Sequence, residues 1–345
     1  MKFVAALFAC TLSAQTITTL IGNGKPGFTA NSVNNPYGLR IGPDGALYFC
    51  DIDNHAIRRL DLKTTNVTTV VGTGEKGSSG DGGPATRARV DQPYELRFDK
   101  AGNLFFVDMP NHVIRRVDKK TGTIRTIAGT GQPGFSGDGG PAIKAQFKQP
   151  HSIALDRSGG LLVCDIGNHR VRRIDLSTGL IDTFLGTGER GPTPDGPAKG
   201  VPVNGPRALD FDTAGNLYLV LREGNSVYKI DPGMRISRIA GTGEKGLTGD
   251  GGPAISATLN GPKGISVSKK GVFYLADTEN HAIRRVDTKT GIITTVAGTG
   301  EKGDGPDGDP RKCRMNRPHG IFVDSKGAVY IGDSESHRIR VLREK

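Results

Sequence analysis

The stretch Pro262–Gly300, PKGISVSKKGVFYLADTENHAIRRVDTKTGIITTVAGTG, decides the fold of this chain. It contains four short runs rich in β-branched and aromatic residues, separated by clusters of Gly, Asp, Ser and Thr that reverse a chain between strands. The pattern predicts four strands, A to D, at Gly264–Val267, Val272–Ala276, Ala282–Val286 and Ile292–Val296. The unit is therefore a small sheet of four strands joined by tight turns.

The same unit recurs along the whole sequence. The proline that opens strand A returns every 56 or 57 residues, at Pro36, Pro93, Pro150, Pro206, Pro262 and Pro318. The aspartate after strand B keeps this spacing at Asp51, Asp108, Asp165, Asp277 and Asp333, and Leu221 interrupts the series. Repetition of a four-stranded unit at a fixed period is typical of a β-propeller. The sequence thus predicts an all-β fold, a six-bladed β-propeller with four-stranded antiparallel blades.

The two ends of the chain complement each other. Ile17–Ile21 reads as a strand D with no strand A, B or C before it. At the other end, Ile321–Val323, Val329–Gly332 and Arg338–Leu342 supply strands A, B and C without a strand D. We expect the N-terminal strand to complete the last blade and close the ring, which removes two free sheet edges. Residues 15–345 are predicted to form a single domain.

Residues 1–14 resemble a short secretory signal peptide. Lys2 precedes an apolar run, and small residues precede a predicted cleavage site before Gln15. We therefore expect a secreted or periplasmic protein, with a lipid anchor on Cys10 as the alternative to a soluble form. Elsewhere no segment reaches the ~18 apolar residues that a transmembrane helix needs, so no transmembrane span is predicted.

Four segments resemble the NHL repeat, whose consensus contains an Asn-His pair in this context. They are NHAIRR at Asn54–Arg59 and Asn280–Arg285, NHVIRR at Asn111–Arg116 and NHRVRR at Asn168–Arg173. Together with the proposed signal peptide, the resemblance implies a bacterial, exported NHL-repeat propeller. It is specific for fold and not for function, because NHL propellers serve as binding scaffolds, RNA-binding domains and, in related folds, lyases and lactonases.

The chain is basic, with a net charge of +11. Such a charge favours an acidic partner such as nucleic acid, an anionic polysaccharide or a membrane surface. However, the repeat itself imposes an arginine pair on strand C of four blades. Neighbouring side chains in a strand point to opposite faces, so we expect one arginine of each pair to enter the seam between blades. Nucleic acid is the less favoured partner because export argues against it, and we expect a monomer.

Positions that recur in five of six blades are interpreted as fold elements. These include the aspartate after strand B and the histidines His55, His112, His169, His281 and His337. Function is expected where the repeat is broken, on the face that carries the B–C and D–A loops. Blade four departs furthest, since it loses both the aspartate and the histidine in the segment Leu221–Asn225 and carries Arg222 there.

The residue after each opening proline varies, and it is predicted to stand at the mouth of the central channel. In order these residues are Tyr37, Tyr94, His151, Arg207, Lys263 and His319. The next position is Gly, Ser or Ala in five blades, which we expect to leave the channel open, and Glu95 in blade two. Together with Arg222, these residues are the predicted ligand-binding set, and His151, His319, Glu95 and Tyr94 are the catalytic candidates.

Three functional hypotheses follow. The first is a binding or scaffold module for a protein, a peptide, or an anionic small molecule or polysaccharide, with no required cofactor. The second is a lyase or hydrolase with His151 or His319 as general base, since QPHSIAL (Gln149–Leu155) and RPHGIFV (Arg317–Val323) resemble segments of propeller lyases. The third is a nucleic-acid-binding NHL domain.

A divalent metal, zinc or calcium, is an option for the channel. Among the propeller lyases that these segments resemble, the amidating lyases take zinc from three histidines on alternate blades. Here the alternate-blade partners of His151 are Lys263 and Tyr37, which do not make a three-imidazole site.

Overall fold

The computed structural model describes residues 15–344, which form a six-bladed β-propeller with one-turn helices in its loops. The proposed signal peptide and Cys10 lie outside the described residues. The strands, in chain order, are β1 (Gln15–Ile21), β2 (Pro36–Ile41), β3 (Leu47–Asp51), β4 (Ala56–Leu60), β5 (Val67–Val71), β6 (Pro93–Phe98), β7 (Leu104–Asp108), β8 (Val113–Val117), β9 (Ile124–Ala128), β10 (Gly140–Pro141), β11 (Pro150–Leu155), β12 (Gly160–Asp165), β13 (Arg170–Asp175), β14 (Leu180–Leu185), β15 (Gly196–Pro197), β16 (Pro206–Phe211), β17 (Leu217–Leu221), β18 (Ser226–Ile230), β19 (Arg235–Ala240), β20 (Gly264–Val267), β21 (Val272–Asp277), β22 (Ala282–Asp287), β23 (Ile293–Ala297), β24 (Ile321–Val323), β25 (Val329–Asp333) and β26 (Arg338–Glu344).

Each blade is an antiparallel sheet whose strand A lies nearest the axis, as the repeat predicts. The blades are β2–β5, β6–β9, β11–β14, β16–β19, β20–β23 and β24–β26 with β1. The two-residue strands β10 and β15 add a short outer edge to blades three and four. In the last blade β1 pairs with β26, with Ile17 opposite Leu342, and Ile17 is fully buried. Closure of the ring by the N-terminal strand is therefore confirmed.

Seven one-turn 3₁₀ helices lie within residues 15–344. Four of them form the B–C turns (Ile52–Asn54, Ile166–Asn168, Thr278–Asn280 and Ser334–Ser336), and three lie in the D–A loops (Ala85–Arg87, Ala142–Lys144 and Ala254–Ser256). A single turn is far too short to cross a bilayer, and none of the helices in this part of the chain could span a membrane.

One arginine of each strand C pair is buried, as expected, and it lies in a seam between strand C and the D–A loop that enters its blade. Arg172 is fully buried and donates to the Asp138 carboxylate at 2.6 Å and to the Ser136 carbonyl at 3.1 Å, both in the preceding D–A loop. Its neighbour Arg173 is partly exposed and bonds to Asp156 on its own blade. The buried guanidinium thus ties strand C to the loop that enters its blade.

The recurring histidines connect successive blades. Each takes a left-handed backbone conformation after the B–C turn, and its Nδ1 accepts the backbone N–H of the residue before the next opening proline. The donors, in chain order, are Gln92 to His55 (3.4 Å), Gln149 to His112 (3.1 Å), Gly205 to His169 (3.2 Å), Arg317 to His281 (3.1 Å) and Asn35 to His337 (3.2 Å). In blade four Asn225 Oδ1 accepts the same bond from Gly261 at 2.9 Å. These histidines therefore join blade to blade.

Candidate functional site

The residue after each opening proline points towards the axis, and the six side chains meet around one depression of ≈ 440 Å³ on the loop face. They are Tyr37, Tyr94, His151, Arg207, Lys263 and His319. Arg222 lines the same depression, while Glu95 lies one layer deeper. The eight residues predicted as the ligand-binding set are thus brought together, although they come from all six blades.

His319 is the centre of one half of the ring. Its Nε2 accepts from the Tyr37 hydroxyl at 2.9 Å and lies 3.2 Å from Lys263 Nζ. The Tyr37 ring stacks on the imidazole with 4.0 Å between centroids. His319 is only 5% exposed, and this burial, with the nearby charges of Lys263 and Arg207, holds the pKa of its imidazole well below the usual value. At neutral pH His319 is therefore an uncharged acceptor.

Lys263 is linked to a charged cluster at the rim. Its Nζ donates to Glu279 Oε1 at 2.8 Å, and Arg317 donates to both oxygens of the same carboxylate at 2.8 and 2.9 Å. Burial lowers the pKa of Lys263, hydrogen bonding to Glu279 opposes this, and the result is about 8. Burial raises the pKa of Glu279, but the hydrogen bonds from Arg317 and Lys263 outweigh it and bring the value to about 2. Lys263 is therefore a cation at pH 7 whose charge is lost in mild alkali.

Tyr94, His151 and Arg207 form the other half of the ring. The Arg207 guanidinium donates to the Tyr94 hydroxyl and lies over its ring, 4.6 Å from the centroid. The Tyr94 ring meets His151 and Tyr37 edge to face, each at 4.6 Å. Edge-to-face contacts of this kind fix the orientation of the aromatic rings.

The two histidines share one tautomer, set by the backbone. His151 Nδ1 lies 2.7 Å from the carbonyl of Gln149, and His319 Nδ1 lies 2.8 Å from that of Arg317. A carbonyl only accepts, so each Nδ1 carries the proton and each Nε2 offers a lone pair. Burial, with the charges of Arg207, Arg222 and Lys263, holds the pKa of His151 well below its usual value. Both imidazoles therefore present neutral acceptors towards the depression.

The depression is strongly cationic. In the described part of the chain one carboxylate, that of Glu223, and six basic side chains belong to the residues that line it: Lys148, Arg190, Arg207, Arg222, Lys263 and Arg317. Within residues 15–344 only Lys263 and Arg317 of these six have a carboxylate within 4.0 Å. Cations grouped in a concave site create a positive potential that attracts anionic ligands. The site is therefore suited to an anion.

The channel below the mouth is closed, which corrects the expectation of an open passage. The cavity directly beneath the ring has a volume of ≈ 20 Å³. Glu95 turns back to Arg97 at 2.5 Å, and Arg97 reaches across the axis to the Leu209 carbonyl at 3.3 Å. Arg40 of blade one bonds to Asp210 of blade four at 3.0 Å. These bridges across the axis make a floor, so the mouth is a cup.

The small residues after the ring positions have a different role from the one expected. A Cβ on Gly320 would lie 2.3 Å from the Tyr37 carbonyl oxygen, and one on Gly264 would lie 2.2 Å from that of His319. Neighbouring A strands approach each other most closely near the axis. The small side chains therefore permit this approach and do not serve to keep a passage open.

The comparisons with known proteins agree with the repeat. The model for the NHL repeat matches residues 147–174 and 315–342, and that for the Teneurin NHL domain matches residues 231–305. NHL repeat-containing protein 2 of Bos taurus is 29% identical over 93% of this chain and 41% of that protein. The chain is an NHL-repeat β-propeller. It spans less than half the length of that relative, so the likeness concerns the propeller.

Solved structures show the same fold for this NHL propeller. An auxiliary nutrient binding protein from Bacteroides thetaiotaomicron superimposes with a TM-score of 0.71, at 19% identity over 96% of this chain and 77% of the other. Virginiamycin B lyase from Staphylococcus aureus superimposes with a TM-score of 0.56, at 14% identity over 95% and 98% of the two chains. At such low identity these similarities concern fold alone.

The donor set of this NHL propeller does not fit a zinc site. The ring carries two imidazoles, and the Nε2 of His319 already receives hydrogen bonds from Tyr37 and Lys263. Among residues 15–344 no group of three or more His, Cys, Asp or Glu side chains is arranged to hold a metal ion. A cationic cup also repels a further cation.

Several lining residues were missed in the sequence. Arg317 and Glu279 stand at the rim, on the position before the opening proline and in the B–C turn. A signal for both existed, because these positions vary between blades as the ring position does. The position before the proline is Asn35, Gln92, Gln149, Gly205, Gly261 or Arg317, and the B–C turn position is Asp53, Pro110, Gly167, Glu223, Glu279 or Glu335.

Proposed function

We propose that this NHL propeller is a binding module whose loop-face cup holds an anionic ligand, such as a polycarboxylate, an acidic peptide or an anionic polysaccharide. One observation carries the proposal: four of the six basic side chains in the cup have no carboxylate within 4.0 Å among the described residues. Of these four, Lys148 and Arg190 are exposed, whereas Arg207 is buried and Arg222 is half-buried. A buried or half-buried cation without a counter-ion is costly unless a ligand supplies one. A bound anion would supply it.

Two of these four cations are held ready for a ligand. Arg207 is 4% exposed, and its guanidinium is fixed by the Tyr94 hydroxyl and ring. Arg222 Nε is buried without a hydrogen-bond partner in the described part of the chain. The Arg207 guanidinium, fixed in this way, loses little side-chain entropy when it binds a carboxylate or a phosphate, and Arg222 has an unsatisfied donor to offer.

The test is calorimetric titration at low ionic strength with citrate, inorganic phosphate, a hexaglutamate peptide and dextran sulfate. We expect at least one of them to bind, with an affinity that falls as salt is added. Arg207→Gln and Arg222→Gln should each weaken binding about tenfold, the loss expected for one charge-assisted hydrogen bond.

Arg125→Gln is the matched control. Arg125 is exposed on the outer strand of blade two, and its substitution removes the same single charge far from the cup. It should bind as the wild type does. Equal weakening in all three variants would mean that net charge alone attracts the ligand, and no binding by any probe would refute the proposal. A single-stranded RNA in the same panel tests the nucleic-acid hypothesis through its salt dependence.

Catalysis is the second candidate, and one observation favours it. His151 Nε2 has no hydrogen-bond partner within residues 15–344 and belongs to a side chain that lines the cup, where it could accept a proton from a substrate. Its lowered pKa makes it a weak base, which is why binding ranks first. Turnover of lactones or lactone-containing cyclic peptides that disappears in His151→Ala and His319→Ala would favour catalysis.

We also propose that the protein is exported and matures by cleavage before Gln15. The support is the signal-like sequence of residues 1–14 together with the position of β1 (Gln15–Ile21), which lies entirely after the proposed cleavage site and would be retained in the mature protein. N-terminal sequencing of the protein from its native host is expected to start at Gln15. A start at Cys10 with a lipid modification would favour an anchored form instead.

A further inference from the structure

Blade four lacks the buried ion pair that the other five blades share. In those blades the strand C arginine lies near the aspartate that ends strand B, for example Arg284 at 3.4 Å from Asp277 and Arg340 at 2.9 Å from Asp333. Blade four has Tyr228 and Leu221 at the two positions. Replacing a buried charge pair by an apolar pair leaves no uncompensated charge inside.

The D–A loop of blade four retains the aspartate that accepts from the strand C arginine in other blades. In blades two, three and five an aspartate of the D–A loop accepts from arginine Nη2: Asp81 at 2.5 Å, Asp138 at 2.6 Å and Asp250 at 2.8 Å. The equivalent in blade four is Asp195, which keeps the bond to strand D, from the Arg238 N–H at 2.8 Å. No cationic group of residues 15–344 lies within 4.0 Å of the Asp195 carboxylate. It has lost the guanidinium that its counterparts hold.

An open pocket of ≈ 560 Å³ occupies this part of blade four. Asp195, Glu223 and Asn204 line it, and the buried side-chain oxygen of Asn204 has no hydrogen-bond partner among residues 15–344. Tyr228 forms one wall and donates its hydroxyl to the Thr193 carbonyl at 2.9 Å, the acceptor that arginine Nη2 uses in the other blades. The pocket is far larger than one guanidinium, so it has room for a side chain with its flanking backbone.

Within residues 15–344, Arg238 is the one basic side chain on the wall of this pocket. It stands opposite Tyr228 across the sheet, where the other blades carry threonine at the position facing the seam arginine. Its guanidinium turns to the Thr242 carbonyl at 3.0 Å and forms no ion pair with Asp195 or Glu223. Among residues 15–344 the two carboxylates therefore have no cationic partner and can accept a cation from a ligand.

We propose that the blade-four pocket, formed around Asp195, Glu223 and Tyr228, binds a guanidinium-bearing ligand such as an arginine side chain of a peptide. The five other blades show the same loop holding a guanidinium, supplied there by the chain itself. The pocket adjoins the cationic cup and shares Glu223 with it, yet its ligand has the opposite charge. The proposal does not depend on anion binding in the cup.

The experiment is calorimetric titration of the folded protein with L-argininamide, which carries no carboxylate that could bind in the cationic cup. We expect a dissociation constant on the order of millimolar, since the ion pairs are partly exposed. Asp195→Asn should weaken binding at least about fivefold. Tyr228→Arg should abolish it, because the new side chain fills the pocket with the guanidinium found in the other blades. Arg238→Thr should strengthen it by removing a like charge.

Asp138→Asn and Arg125→Gln are the matched controls. Asp138 is the equivalent carboxylate already bonded to Arg172, and Arg125 is exposed on the outer strand of blade two, so both variants should bind L-argininamide as the wild type does. Melting curves establish that each variant is folded. Equal binding by the wild type and Tyr228→Arg, or no binding by the wild type, would overturn the proposal. The expected argininamide titrations are the same whether or not the cup binds anions, so the two proposals can fail separately.

Discussion

At the scale of single residues, the recurring histidine acts through its protonation state. An imidazole can accept a backbone N–H on Nδ1 only while that nitrogen is unprotonated. Burial lowers the pKa of His281, which accepts from Arg317, and likewise lowers that of His169 and His337. The neutral form is therefore the one that holds neighbouring blades together.

His281→Asn tests this role, because blade four already uses Asn225 for the same bond. A histidine whose pKa is depressed in the folded state stabilises fully above its unfolded value near 6.5, and this contribution is lost as pH falls below it. Urea unfolding at pH 7.5 and 5.0 measures how much the free energy of unfolding falls as the pH is lowered. This fall should be smaller in the variant than in the wild type by roughly 1 kcal/mol. Buried aspartates titrate in the opposite sense, as burial raises the pKa of Asp277 to about 6. The comparison of variant with wild type cancels their effect, and an identical loss in both would contradict the role.

Lys263 makes anion binding in the cup dependent on pH. Burial, opposed by the bond to Glu279, places its pKa at about 8, so its charge is lost as pH rises from 7 to 9. The affinity for whichever anion the titrations identify should fall a few-fold over this interval. Lys263→Arg, which stays charged, should bind equally at both values, and a parallel fall in this variant would exclude Lys263 as the cause.

At the scale of elements, the seam between strand C and the D–A loop is the repeated unit of stability. Arg284→Tyr leaves the fully buried Asp277 without its cation, and such a loss costs about 3–5 kcal/mol. The double variant Arg284→Tyr with Asp277→Leu copies the pair that blade four carries naturally, so it should recover most of this loss. Chemical denaturation of the single and double variants measures the coupling. A double variant no more stable than the single one would show that blade four depends on other compensations.

The elements were predictable from sequence because spacing alone determines them. The predicted strand A at Gly264–Val267 has the observed bounds, and strand D begins one residue later than predicted, at Ile293. The ring of mouth residues was also predictable, since its members follow a proline that recurs at a fixed spacing. The floor was not, because Arg40 reaches Asp210 from the opposite side of the ring, 170 residues away. Such a contact depends on side-chain length and conformation, which a repeat pattern does not contain.

At the scale of the whole molecule, ring closure depends on one strand. β1 completes blade six by pairing with β26 from Gln15↔Glu344 to Ile21↔Ile339. It also contacts the last D–A loop, since the Ile17 N–H donates to the Gly308 carbonyl at 3.0 Å. Without β1 the edge of β26 would be unpaired, and an exposed sheet edge is a site for aggregation.

Deletion of residues 15–21 should therefore cost several kcal/mol, a large part of the 5–15 kcal/mol that stabilises a typical domain. Burial of Ile17 and Ile21 alone contributes roughly 1.5–3 kcal/mol each. A permuted chain that begins at Gly22 and joins Glu344 to Gln15 through an Asn-Gly turn should restore stability, because these two residues already face each other in the antiparallel pair. Melting temperatures of the wild type, the deletion variant and the permuted chain test this prediction. If the chain lacking residues 15–21 melts at the same temperature as the wild type, closure of the ring by β1 does not contribute to stability.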